Sequence, residues 1–293
     1  MSASASRAEA PARRATSSAS RAADTGQRLR DDVEHRLPAV PRSITADQLD
    51  PAARAELRTL PADLADSVAR FLVAAATAQD PERGYHYALA ARRLAARVGV
   101  VRETCGIAAY RAGKWAEALA ELRAARRLTG QSSYLPLMAD CERALGRTDR
   151  ALALVTGPET RRLSRATQIE LRIVESGIRR DQGFPEAAVV ALQIPELTDG
   201  GTRSSSVRLY YAYADALADA GRADEARYWF ARAASADVAG ETDAAERADD
   251  FDLLIFEDLD ADGTADAADS ADSADSAGVV DAADDSGAGD DVG

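Results

Sequence analysis

Residues 104–126 read TCGIAAYRAGKWAEALAELRAAR. Gly113 interrupts a strong helix-forming run, with Gly106 seven residues before it and Ala118 five after. A helical hairpin accounts for all three positions. The glycine supplies the reversal, the two small residues let antiparallel backbones approach, and Leu122 fills the crevice beside them. The pattern recurs on Gly146, Gly183 and Gly221, at spacings of 33, 37 and 38 residues from one turn glycine to the next. Seven before each glycine stand Gly106, Ala139, Ser176 and Ala214, and five after stand Ala118, Ala151, Ala188 and Ala226. Nine after stand the large apolar Leu122, Val155, Leu192 and Phe230. A repeat of this length predicts stacked units that each bury an apolar face on the next.

The stretches CGIAAYRAGKWAEALAELRAA and YADALADAGRADEARYWFARAA resemble the helix-turn-helix consensus of the tetratricopeptide-repeat family. Gly106, Gly113, Ala118 and Ala125 carry the first match, and Ala214, Gly221, Ala226, Phe230 and Ala233 the second. In the middle units Arg143 and Arg180 replace the aromatic provided by Tyr110. The segment DPERGYHYALAARRLAARV is similar to the second helix of an earlier unit, and residues 241–256 to a terminal capping helix. The resemblance implies an all-α, right-handed solenoid of tetratricopeptide-like hairpins, with a concave groove that takes peptides. Helical periodicity puts Cys105 and Ala109 on the packing side with Gly106, and Glu103, Ile107, Tyr110 and Arg111 roughly opposite. The groove-facing candidates are therefore Tyr110, Arg111, Asp140, Arg143, Arg180, Asp181, Tyr211, Asp215 and Asp219. On an open face, their replacement is expected to leave stability nearly unchanged. The family's carboxylate clamp is not expected, because the chain has no asparagine and its one lysine, Lys114, falls in a turn.

The rest of the chain divides around this region. Residues 1–42 are small, polar and arginine-containing, with Pro11, Pro38 and Pro41, and are expected to be disordered. Residues 43–256 form the predicted helical repeat domain, with Asp50-Pro51 and Asp80-Pro81 as helix starts. Gly99, Gly113, Gly130, Gly146, Gly183 and Gly221 are the predicted helix ends. Residues 257–293 are an acidic low-complexity tail, expected to be disordered. From Ala248 onward there are 16 acids and no Lys or Arg, so a net charge of −13 resolves into a body of +3 and a strongly acidic end. The 67 alanines and few aromatics favour close-packed helices over sheets.

Chemistry leaves few traces. No phosphate loop, dinucleotide fingerprint, zinc motif or nucleophile elbow is present, and of the two histidines His35 precedes the helical region while His86 suits a partly buried structural role. Cys105 and Cys141 read as small buried hydrophobes. In the tail, Asp258, Asp260, Asp262, Gly263, Asp266 and Asp269 match the spacing of a calcium loop. Only Ala265 stands where an apolar residue is usual, Asp269 replaces the bidentate Glu, and no second helix follows, so no metal site is expected. The longest apolar run, FLVAAATA, is far short of the roughly 20 residues that cross a bilayer. The reading is a cytoplasmic, non-catalytic protein-interaction adaptor without cofactor, binding a protein or peptide partner. The alternative, nucleic-acid association through the arginines of residues 1–36, is disfavoured because that arm also carries five acids and no aromatics.

Overall fold

The structure, a computed structural model, describes residues 37–198 and 204–250. Both predicted tails, apart from residues 37–42, and the calcium-loop spacing at 258–269 lie outside the described residues. Within them the chain is helical, with no strand. The α-helices are α1 (Pro51–Glu56), α2 (Ala62–Thr77), α3 (Pro81–Ala95), α4 (Gly99–Arg111), α5 (Trp115–Thr129), α6 (Leu135–Ala144), α7 (Thr148–Thr156), α8 (Arg165–Asp181), α9 (Pro185–Leu192), α10 (Ser204–Asp219) and α11 (Ala223–Ala236). A further helical stretch at 244–250 continues to the limit of the described residues.

Local chemistry sets these boundaries. Asp50 accepts from the Ala52 and Ala53 amides at 2.8 and 3.2 Å, and Asp80 from the Glu82 amide at 3.1 Å, each ahead of a proline that lacks an amide to satisfy. Gly113, Gly146, Gly183 and Gly221 take φ of 69°, 70°, 76° and 73°, a left-handed conformation that costs a side-chain-bearing residue. Around each, the next residue's amide reaches back to a carbonyl five positions earlier: Lys114 to Ala109, Arg147 to Glu142, Phe184 to Arg179 and Arg222 to Leu217, all at 2.8–2.9 Å. One helix-terminating motif is thus used four times. It pairs α4 with α5, α6 with α7, α8 with α9 and α10 with α11, and each pair is in contact.

The repeat positions occupy the interfaces so formed. All eight small residues and all four large apolar ones are buried. A methyl group added at Gly106 would lie 2.7 Å from Leu122 Cγ and Cδ2, so the α4 backbone sits directly on that side chain. The first helices of successive pairs, α2, α4, α6, α8 and α10, also touch in that order. The buried apolar residues gather in two clusters, one running from Leu57 to Ile178 and the other from Ile169 to Ala244, that meet along α8.

Three readings change. Residues 37–42 belong in part to the packed body: Leu37 and Val40 rest on the first cluster, and the Ala39 carbonyl accepts the Tyr87 hydroxyl at 3.2 Å. Gly99 opens α4 instead of ending a helix. Its missing side chain leaves room for the Thr129 methyl and the Glu56 carboxylate, and the latter accepts from the Val100 amide at 2.9 Å and so caps α4 from another helix. His86 is exposed. The wider middle spacings accompany short second helices, α7 and α9, each followed by a proline-initiated 3-10 turn at Pro158–Arg162 and Pro195–Leu197.

Candidate functional site

The first helices of the four pairs, α4, α6, α8 and α10, end on the same kind of turn and touch in succession, so equivalent positions come to lie side by side. Their exposed edges line a groove of about 680 Å³. Its apolar floor is Leu137, Ile173, Val174 and Ala212. Eight of the nine groove-facing candidates, Tyr110, Asp140, Arg143, Arg180, Asp181, Tyr211, Asp215 and Asp219, stand along it.

These side chains are joined into a ladder that steps from one unit to the next. The Tyr110 hydroxyl donates to Asp140 Oδ2 at 2.5 Å. Arg143 donates through Nε to Asp140 at 2.8 Å and through Nη1 to Asp181 at 3.0 Å. Arg180 donates to both Asp215 and Asp219. Arg247, in the helical stretch at 244–250, closes the end by donating to Asp215 Oδ1 at 3.0 Å and the Tyr211 hydroxyl at 3.4 Å. Arg208 engages Glu170 Oε1 through Nε and Nη2 at 3.0 and 2.6 Å. In the first three units the residue three before the turn glycine reaches an acid in the following one, which is why Tyr110, Arg143 and Arg180 serve the same role with different chemistry; the last unit has Ala218 there.

Protonation follows the geometry. Burial, and then the hydrogen bond to Asp140, push the Tyr110 hydroxyl well above its ordinary value. Burial and the neighbouring Asp243 raise Tyr211 to about 12. For Arg143 and Arg180 burial opposes the charge, but the paired carboxylates more than offset it and hold both cations firmly protonated. The expected open, solvated face is therefore corrected: Tyr110, Arg143, Arg180 and Tyr211 are half-buried and tie adjacent helical pairs together. Their removal is therefore expected to affect stability.

Arg111 does not reach the groove. Its two terminal nitrogens donate to the Ala76 and Ala78 carbonyls at 3.3 Å, satisfying the C-terminal end of α2. Glu103 is also engaged elsewhere, accepting the Tyr134 hydroxyl at 2.8 Å. Sequence reasoning missed the floor residues together with Glu170, Arg208 and Arg247. Leu137 lies one turn before Asp140 on the same helix face, so extending the groove stripe by three residues finds it. Nothing local in the sequence links Arg247 to Asp215, because the bond depends on the fold of the chain after α11. No described helix is long and apolar enough to cross a membrane. A scan against protein-family models and a search of curated proteins each found no match to this chain.

Proposed function

We propose that the chain is a right-handed solenoid of tetratricopeptide-like hairpins and works as a non-catalytic cytoplasmic adaptor, holding a segment of a partner protein in the inner groove. The observation that carries this reading is the groove itself: four structurally equivalent helix edges leave an open trough, apolar along its floor and polar along its walls. That division suits an extended peptide, whose side chains anchor below while its backbone meets polar groups above. The recurring turn motif and the small residues at the paired interfaces support the solenoid, since units of this kind bury their apolar faces only by stacking. Free buried Cys105 and Cys141 suit a reducing compartment.

Capture of partners by the full chain from its native lysate tests the reading when repeated with floor variants Ile173→Ser and Ala212→Gln, and with Val190→Ser on the exposed face of α9. A partner lost with the floor variants and kept with Val190→Ser is expected, with circular dichroism unchanged throughout. Retention of every partner by the floor variants would overturn the groove as the binding surface.

A further inference from the structure

Five carboxylates line the groove (Asp140, Glu170, Asp181, Asp215 and Asp219) against three guanidiniums (Arg143, Arg180 and Arg208). At the closing end, Arg247 adds a fourth cation and Asp243, close enough to influence it, a sixth acid, so the imbalance persists. Every one of the four arginines is engaged by a carboxylate of the chain itself. The acids are less fully used: Asp181 and Asp219 each meet an arginine through one oxygen, and their side chains stay 49% and 46% exposed. Both are also the last residues of their helices, α8 and α10. The helix dipole already places negative potential there, so an aspartate at that position works against helix stability. Two such residues on one rim, beside an apolar floor, make a surface that attracts cations and repels acidic chains.

We propose that the groove selects a basic segment of a partner protein, with Arg or Lys side chains set against the Asp181 and Asp219 rim and a large apolar side chain between them on the Leu137, Ile173 and Val174 floor. This rests on the groove reading above and gives it a charge preference. Arginine suits the rim best, since its planar fork can meet a carboxylate whose other oxygen is already occupied.

A phage-displayed library of random 12-residue peptides, panned on the full chain, supplies the test, with an enriched peptide then measured by fluorescence polarisation. Enriched sequences are expected to carry net positive charge and a large apolar residue. Their affinity should fall at least tenfold in the Asp181→Asn/Asp219→Asn variant, and fall further as sodium chloride is raised. Enrichment of acidic or uncharged sequences, including any resembling the chain's own acidic tail, overturns the proposal, as does unchanged affinity in the double variant. The two readings fail separately. Acidic peptides that are lost with Ile173→Ser leave the groove standing and remove only the charge preference, whereas peptides indifferent to both sets of variants remove the groove too.

Discussion

Between α3 and α6 the layers are tied by two carboxylates withdrawn from water, whereas α10 and α11 are tied by aromatic rings that meet mostly edge-on. Glu121, 5% exposed, accepts from Arg92 of α3 and from Arg102 of α4, the latter at 2.7 Å. Glu142, 0% exposed, accepts from Arg123 of α5 and, at 3.4 Å, from Arg147 of the following turn. In the second region Trp229 meets Tyr213 and Tyr228 edge-on at 5.1 and 5.6 Å and lies 5.7 Å from Tyr210, while Phe230 packs under Tyr211 at 5.3 Å. Arg232 covers Tyr210 and Trp229, at 4.9 Å from each ring. The same hairpin geometry is thus held in two ways. Rings contribute in proportion to the area they bury. A buried carboxylate adds little net stability but makes the loss of its partners expensive.

The largest expected effects separate these two. Arg123→Ala/Arg147→Ala strands the Glu142 charge and should cost about 3–5 kcal/mol in urea unfolding. Phe230→Ala should cost about as much, ~3–5 kcal/mol, through the cavity it leaves. Only the first is repairable by removing charge: adding Glu142→Leu to the double arginine variant should recover most of the loss. A triple variant as unstable as the double would show that the arginines act through packing of their stems, and the contrast between the halves would collapse.

Alkaline pH should act first on the first half, because Cys105 and Cys141 both lie there, whereas Tyr211, raised to about 12 in the second half, begins to count only above its ordinary value of 10.0. Burial raises each thiol from 9.0 to about 12. Above pH 9 the unfolded chain therefore releases protons that the folded chain keeps, and stability falls as pH rises toward 12. The slope is about 1.4 kcal/mol per pH unit for each thiol, or roughly 3 kcal/mol for both at pH 10. Trp115 in α5 and Trp229 in α11 are the chain's two tryptophans, so Trp229→Phe and Trp115→Phe variants report one half each. Earlier alkaline loss of the Trp115 signal is expected, and Cys105→Ala/Cys141→Ala should abolish the difference. Coincident loss of both signals in every variant would mean that the two clusters meeting at α8 unfold as one unit.

Gly106→Ala is expected to cost about 1–2 kcal/mol in thermal melting, although alanine is the better helix former by ~1 kcal/mol. Its methyl group would meet Leu122 Cγ and Cδ2 at 2.7 Å and the Leu122 backbone nitrogen at 3.2 Å, and Leu122 is itself fully buried in the core. The equivalent position in the last pair is already Ala214, set against Phe230 in place of leucine. A neutral Gly106→Ala would show that the two pairs do not differ in how closely their backbones approach.

The hairpins were readable because a left-handed turn and a backbone contact admit few residue types. Gly113 and Gly106 are visible for that reason, and so are their counterparts in each unit. Gly99 misled because a close approach by Thr129 and Glu56 demands the same residue as a helix end. Most of the groove stripe followed from helical period, as Tyr110, Asp140, Arg143 and Arg180 show. Its bonding did not, since an arginine on a face looks the same in sequence whether it meets solvent or an aspartate 38 residues away, as Arg143 does with Asp181. Arg111 was misassigned on the same account. One residue after Tyr110 on the helix, it points to the end of α2.

The smallest predicted effect concerns Ser176, the one polar member of the four small positions on the first helices of the pairs. It is 2% exposed and its hydroxyl has no hydrogen-bond partner, in contrast to Glu142, whose carboxylate has two. An unpartnered hydroxyl carries a desolvation cost with nothing to offset it, and serine is the weaker helix former. Against that, alanine would leave behind a gap of a single oxygen atom. The balance favours Ser176→Ala, which should raise stability by about 0.5–1 kcal/mol, read as a higher urea midpoint at unchanged m-value. The same substitution at Glu142 should destabilise, because its two arginines then lose their shared carboxylate and the site gains a cavity. A Ser176→Ala variant less stable than the parent would mean that the hydroxyl is satisfied through a buried water, giving α8 a buried polar contact that, like that of Glu142, is costly to lose.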